Sequence, residues 1–581
     1  MEALSLLVWL PVVAAALVVL PLGVRWQYVL GAFIVALLSL ESVTLFLSHS
    51  GSSVMLSSLQ TQLLIALDVL LLVYFFMSGF RQKARAVYLL AALQLILYLW
   101  VESILPHAHT APIVMDRLSH WMFLIINPIG GVIILYAVRY LQDEAMTDAR
   151  KRLFLSYLYL FLGVMNLLVM SNDLMLFFFL FEMTTLASYL LIGFRGDETA
   201  RSNALRALWM NQIGGVAILL GVAASVLSGG GSTFDTLSPA WLFPVGLLAV
   251  AAFVKGAFIP FDRWLLGAMV APTPVSAILH SATMVKVAPF LVIKLVPLMT
   301  GSVLADGIAL VGALVFVAAA YLALSKHIIK EILGLSTIAM LGLMVSLAAL
   351  GTALSVEIAL WLIVIHAAAK ALLFLSAGVL EKRLHIKEVE GMSGLINRSG
   401  WLGAMFLFGF AALTLPPFGG LLIKLMGMEI LTSLMPGDPW LVINLAALAI
   451  GSVLLTLLYF KVASAMLSWD GDHVHPAVAM GGAYGWGIMT LGVVSLVVMI
   501  LALLSFGALW GLVLPLVIVL LLPLGKRWMQ GFDRAREYHC GEQSDFVAAP
   551  AFFAVPWQIR VRLDVAFVLL FILVVIAGGA V

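Results

Sequence analysis

Apolar runs of about 20 residues recur from one end of this chain to the other, each long enough to cross the hydrocarbon core of a bilayer. Short polar connections separate them, and no soluble domain interrupts the series. The pattern predicts roughly 18 spans by the 20-residue criterion. They fall near 2–22, 27–48, 61–79, 86–105, 117–141, 152–170, 173–194, 203–228, 240–268, 272–298, 303–324, 327–352, 355–381, 400–436, 440–468, 483–505, 507–524 and 562–580. The ninth and fourteenth are too long for one crossing and carry internal prolines, so each reads as one broken helix. The expected fold is an all-α polytopic membrane protein. It divides into N-terminal helices with an extra hairpin (1–115), a core (116–436) and C-terminal helices with a short polar segment near 526–560 (437–581). The first apolar run lacks a basic n-region and a small-residue cleavage site, so it reads as a retained span.

Composition agrees with this and removes several function classes. The 581 residues are 64% hydrophobic and only 10% charged, too apolar for a water-facing surface of that size. The net charge of +2, with no basic tract interleaved with aromatics, gives no nucleic-acid footprint. The single cysteine, Cys540, excludes internal disulfides and any Cys-ligated cluster held by this chain alone. With His539 beside it in "HCGE", two adjacent residues make a poor metal site, and Cys540 reads as structural. Lys and Arg collect in alternate connections: Arg25, Arg81/Lys83/Arg85, Arg150/Lys151/Arg152, Arg195/Arg201/Arg206, Lys326/Lys330, Lys382/Arg383/Lys387/Arg398 and Lys526/Arg527/Arg534/Arg536. Basic loops stay in the cytoplasm, which predicts an N-terminus facing outside across a prokaryotic cytoplasmic membrane. The acidic loop "WDGDHVHP" (469–476) breaks the pattern in sign.

Against this background the ionisable residues inside predicted spans stand out: Glu41, Asp68, Glu102, Glu182, Lys255, His280, Lys286, His366, Lys370, Lys424, Glu429 and Lys461. A charged group at bilayer depth costs roughly 2.5–3.5 kcal/mol on insertion scales. So many are tolerable only if they face one another or water, or snorkel from helix ends as Glu41, Glu102 and Lys461 could. Two of the deep lysines share a setting. Lys255 precedes Pro260 in the ninth span, and Lys424 follows Pro416 and Pro417 in the fourteenth. Proline frees backbone carbonyls, which a membrane tolerates only where protein or water satisfies them. Two such broken helices about five spans apart fit paired inverted repeats.

His366 and Lys370 are spaced i,i+4 and share one helix face. His280 and Lys286 are six apart, a rise of about 9 Å, and so mark different depths. Such groups suit proton transfer. A buried amine releases its proton more readily than an exposed one, and an approaching carboxylate opposes the release. A Lys–Glu pair is therefore a switch, and imidazoles can serve as steps between amines.

At these residues the chain resembles a known family. "FEMTTLASYLLIGF", "VKGAFIPFDRWLLGAMVAPTPVSAILHSATMVK", "KEILGLSTIAMLGLM", "HAAAKALLFLSAGVL" and "LPPFGGLLIK" occur in the order seen in antiporter-like proton-conducting subunits, from about Asp116 to Lys424. That family includes the large membrane-arm subunits of respiratory complex I, the large subunits of Mrp-type antiporters and the matching subunits of energy-converting [NiFe] hydrogenases. The resemblance implies two inverted five-helix repeats, each with a broken helix. It implies that Glu182 partners Lys255, that His280, Lys286, His366 and Lys370 form a central relay, and that Lys424 stands at the exit.

The family's "DxKRxLAYST" stretch here reads "IIKEILGLST", with Ile328 for the acid and Glu331 for the arginine. A second histidine that some members carry one turn before His366 is Leu362. The hairpin near 61–105, with Asp68, has no counterpart in the family core. The brief 526–560 segment, interrupted by Pro550 and Pro556, allows at most a short amphipathic helix near 526–538. The combination of "GAMVAPTPVSAILHSATMVK" with "YHCGEQ" is most similar to the group 4 hydrogenase type.

The resemblance thus implies a proton- or sodium-translocating subunit of a complex I-like assembly. It would carry no cofactor itself, and the NiFe centre and Fe–S clusters would lie in partner subunits of a peripheral redox arm. An Mrp antiporter subunit, or a membrane-arm subunit of NADH:quinone oxidoreductase, is the alternative. A quinone-reducing enzyme, a scaffold and an organic-solute carrier fit less well. No cofactor ligands are visible, and the deep polar groups are spread along the chain instead of gathered in one pocket.

Overall fold

Without water to satisfy N–H and C=O groups, a spanning chain must close its hydrogen bonds within each segment, and it does so here as helices. The computed structural model describes residues 2–105, 112–414, 419–467, 483–506 and 555–579. Helices α1 (Glu2–Val19) and α2 (Val24–Ser48) lead into α3 (Ser58–Arg81) and α4 (Arg85–Ile104), the extra hairpin. Then come α5 (Arg117–Tyr140), α6 (Asp148–Met170), α7 (Leu174–Ile192) and α8 (Glu198–Leu227). The first broken unit is α9 (Phe243–Lys255) with α10 (Asp262–Gly267), followed by α11 (Thr273–Ala277) and α12 (Val287–Met299). Next are α13 (Val303–Leu324), α14 (Ile329–Ala349), α15 (Ala353–Arg383) and the short α16 (Leu395–Arg398). Helices α17 (Gly400–Thr414), α18 (Gly419–Leu434), α19 (Leu441–Leu467), α20 (Ala483–Ser505) and α21 (Trp557–Gly579) complete the series.

Fourteen helices among the described residues are long and apolar enough to cross a membrane, and the chain is a multi-pass membrane protein. Three features differ from the sequence expectation, and a further group of expectations falls outside the described residues. Three of the spans expected among the described residues, near 6–19, 243–255 and 400–414, are shorter apolar helices. The expected span at 507–524, the amphipathic helix near 526–538, Cys540, the loop 469–476, Pro416 and Pro417 lie outside the described residues. A two-stranded antiparallel sheet, β1 (Ser52–Val54) with β2 (Ile113–Met115), adds to the helices and ties the loop after α2 to the entry of α5. The expected span 272–298 is not one regular helix. Between α11 and α12 it passes through a π-turn at Ile278–Ala282 and a 3₁₀ turn at Met284–Lys286.

Helix starts obey capping chemistry. Asp116 accepts from the Ser119 amide at 2.7 Å, and Asp173 accepts from Met175 and Leu176 at 3.0 and 2.8 Å. Such a side chain satisfies a donor that the helix leaves free, a contribution of about 1 kcal/mol. The core is formed by α14 and α15. Every position in the apolar window of α14 is buried, against 28% in α3 or α4, so the hairpin is peripheral.

Helix association in lipid favours small residues and interhelical polar bonds. Gly312 on α13 and Gly342 on α14 bring two backbones together so closely that a Cβ on either would strike the other's carbonyl oxygen. Asn127 on α5 bonds Ser42 on α2 (2.9 Å) and Asn166 on α6, which in turn donates to the carbonyl of Leu7 on α1 (3.0 Å).

The basic connections meet on one face. Lys382, at the end of α15, and Arg195, after α7, both pair with Glu144 beyond α5, at 2.7 and 3.3 Å. Burial by itself would raise the Glu144 carboxyl, but Lys382 and Arg195 hold it below the usual carboxylate range. Arg383 pairs with Asp143 at 3.1 Å. The substituted "IIKEILGLST" stretch has its own ion pairs on this face, Lys326–Glu331 at 3.0 Å and Lys330–Glu381 at 2.6 Å.

Candidate functional site

Because α9 ends at Lys255 and the chain turns before α10, the lysine side chain leaves the helix at its broken end. Lys255 is fully buried. Its Nζ donates to the carbonyl of Phe181 (3.0 Å) and to Oγ1 of Thr185 (2.9 Å), and it lies 3.7 Å from the centre of the Phe181 ring. The expected direct pairing with Glu182 is not what this conformation holds. Glu182 instead accepts at Oε1 from Nε2 of Gln94 at 2.8 Å, while Oε2 has no hydrogen-bond partner. Lysine and glutamate are thus neighbours on one helix turn, close enough to feel each other's charge, with Phe181 and Thr185 as the contact surface.

The next group sits where the chain leaves helical geometry. His280 lies in the π-turn with neither ring nitrogen bonded, its ring 4.9 Å from that of Phe374 on α15. Lys286 ends the 3₁₀ turn, and its Nζ meets Nδ1 of His366 on α15 at 2.5 Å. Lys370, one turn further along α15, points to α14, donating to Oγ of Ser336 (2.5 Å) and the carbonyl of Leu333 (3.0 Å). All four are fully buried. Protonating two of them at once would place like charges together in a medium of low dielectric constant. Lys424, on α18, is also fully buried and donates to the carbonyl of Leu413 at the end of α17 (3.0 Å).

These groups stand on successive packed elements: α9 against α12, the π-turn against α15, and α15 against α18. A cavity of about 420 Å³, lined by Arg195, Met269, Lys330, Glu381 and Lys387, opens on the basic face between α14 and α15. Among the described residues no group of three or more His, Cys, Asp or Glu comes together as a metal site. Two other candidates have plainer places. Lys461 caps α13 through the carbonyls of Leu324 and Lys326, at 2.9 and 2.6 Å, and Glu429 is exposed.

Sequence reasoning missed three contributors. Gln94 reaches Glu182 from the extra hairpin, and a Cβ at Gly215 on α8 would overlap both Glu182 and Gln94, so the glycine makes room for the bond. Lys294, on α12, is tied to the carbonyl of Ser171 at 2.9 Å. Arg560, on α21, pairs with Asp262, the first residue of α10, and Arg263 pairs with Asp564 on α21. Phe571 of α21 packs on Phe253 with centroids 4.9 Å apart. Together the contacts of α21 clamp the broken unit α9–α10.

Breaking a buried pair leaves an uncompensated charge, costing about 3 kcal/mol or more. Asp262 is only 1% exposed. Arg560→Ala is therefore expected to lower the melting temperature of the purified protein clearly, with Asp262→Asn in the same chain restoring part of the loss. An unchanged thermal scan for Arg560→Ala would show that the clamp contributes nothing.

With this geometry in view, residues 171–454 match the family described as NADH:quinone oxidoreductase/Mrp antiporter, TM. That match covers just under half of the chain, its central membrane segment. Three relatives are instructive. A probable K(+)/H(+) antiporter A/B subunit of Rhizobium meliloti is 34% identical over 319 residues, 52% of this chain and 31% of that protein. The L subunit of NADH-quinone oxidoreductase of Mycobacterium tuberculosis is 34% identical over 328 residues, 53% of this chain and 50% of that one. The Na(+)/H(+) antiporter A subunit of Alkalihalophilus pseudofirmus is 32% identical over 356 residues, 56% and 43%. The matches thus span half or less of each curated relative. Among solved structures, a chain of the membrane-bound sulfane sulfur reductase, an archaeal respiratory membrane complex, shares the fold. Its TM-score is 0.69 at 17% identity, covering 88% of this chain and 97% of that one.

Proposed function

We propose that this chain is a proton- or sodium-translocating subunit of a complex I-like energy-converting complex in a prokaryotic cytoplasmic membrane. The N-terminus would face outside, and a group 4 [NiFe] hydrogenase is the first choice of complex. One observation carries the reading: buried, titratable side chains follow one another across packed elements, from Glu182 and Lys255 through His280, Lys286, His366 and Lys370 to Lys424. A static scaffold has no use for so many buried amines, each expensive to insert.

In this reading the relay residues pass a cation between the two broken units, α9–α10 and α17–α18, which act as equivalent inverted halves. The 420 Å³ cavity would be its opening on the basic face. Partner subunits bias the Glu182–Lys255 neighbourhood and so shift which group holds a proton. The nickel–iron centre, the iron–sulfur clusters and the peripheral redox arm belong to those partners.

Purification of the intact complex from native membranes, followed by metal analysis, tests the choice of complex. Nickel and iron are expected. Their absence, with several small membrane subunits in the preparation, would overturn the hydrogenase assignment in favour of an Mrp-type antiporter. That second reading draws on the antiporter proteins among the relatives.

A further inference from the structure

The relay leaves the polar residues of the α3–α4 hairpin unused. Gln94, Tyr98 and Glu102 follow one another at four-residue steps on α4, so they share a single face. They climb about 12 Å from the middle of the helix to its end. Gln94 and Tyr98 are buried, at 0% and 1% exposure, and Glu102 is half-buried. From α3, Asp68 faces the same stripe. It is 3% exposed, its Oδ1 has no hydrogen-bond partner, and the Tyr98 hydroxyl lies between its carboxyl and that of Glu102.

The charged and titratable groups around Asp68 are Tyr98 and Glu102 on α4, Glu182 on α7 and Asp173 at the start of α7. None of these four groups is a cation. The stripe's inner end is Gln94, which bonds Oε1 of Glu182 at 2.8 Å and the carbonyl of Gln212 at 3.1 Å. Its outer end lies opposite the basic face, because the α3–α4 turn is fixed near the other end of α7 by Gln82 donating to Tyr189 at 2.6 Å.

Two buried carboxyls with free oxygens, Asp68 and Glu182, therefore flank one ladder that begins at the membrane face away from the basic loops. A carboxylate left alone in hydrocarbon is costly, and such groups persist where they take up and pass protons. We propose that the α3–α4 hairpin carries a proton-loading site of its own, Asp68 with Glu102 and Tyr98, which supplies protons laterally to Glu182. The step moves one proton and no electrons. The O–H bond of the Asp68 carboxylic acid breaks, a new O–H bond forms at the free Oε2 of Glu182, and Asp68 is left as a carboxylate to be reloaded through Glu102. Gln94 is a positioning residue: it holds Oε1 and leaves Oε2 unbonded. This inference rests on the translocation reading above.

The test uses the full-length chain in its native complex in sealed membrane vesicles, with a pH-sensitive dye for proton uptake. Infrared difference spectra report the carbonyl stretch of protonated carboxyls. Asp68→Asn is expected to slow uptake by about tenfold or more and to remove one carboxylic-acid band, while Asp68→Glu restores both. Tyr98→Phe, which deletes only a hydroxyl, slows uptake without removing a band. Unchanged uptake and unchanged bands in Asp68→Asn, or a loss of sodium but not proton uptake, would overturn the proposal. Lys255→Ala, run in parallel, separates the two ideas. If it blocks uptake while Asp68→Asn does not, the lateral site fails and the translocation reading stands. If neither variant matters, both fall.

Discussion

Lys255→Ala is expected to abolish coupled proton uptake by sealed vesicles while electron transfer in the partner subunits stays measurable. The amine has two hydrogen-bond acceptors, the Phe181 carbonyl and the Thr185 hydroxyl, and no carboxylate in direct contact. Removing it takes away the titratable group at the broken end of α9 and leaves Glu182 without its basic neighbour. The structural cost should be small, because the Phe181 carbonyl keeps hydrogen bonds from Thr184 (2.7 Å) and Thr185 (3.1 Å) on its own helix. Lys255→Arg makes the sharper control. A guanidinium keeps the charge but does not release its proton in a protein, so uptake should stay blocked. Dye-monitored uptake at the normal rate in either variant would remove Lys255 from the mechanism.

His366→Ala should have nearly as large an effect, a fall in uptake of about 100-fold if the imidazole transfers a proton in the slow step. His366 touches Lys286 through Nδ1, and its Nε2 is unpaired, so it is bonded on one side and free on the other. If the two act as one unit, the double variant with Lys286→Met should transport no worse than the poorer single variant. Independent contributions would add instead. Measuring uptake in the two single variants and the double variant decides the matter, and additive losses would separate the two residues into different routes.

Much of this was legible in the chain. The 20-residue apolar period marked the spans, Pro260 marked the break after Lys255, and the spacing of His366 and Lys370 placed both on α15. That spacing did not reveal that the two take different partners, His366 meeting Lys286 and Lys370 meeting Ser336 on α14, since a shared face says nothing of partners on other helices. The π-turn at His280 was hidden because an irregular helix keeps the same apolar composition as a regular one. The Arg560–Asp262 clamp joins residues nearly 300 positions apart, and no local pattern encodes it. Gln94 carries no charge and belongs to no motif. The four-residue repeat through Tyr98 and Glu102 was the signal that could have exposed it.

The bare backbones at Gly312 and Gly342 have an effect that reaches well past their own crossing. Helix α14 holds the Ser336 hydroxyl and the Leu333 carbonyl that receive Lys370, about 9 and 14 Å from Gly342 along its axis. The width of a single hydrogen atom at two residues thus sets how closely α13 lies against the helix that supplies that buried amine's acceptors.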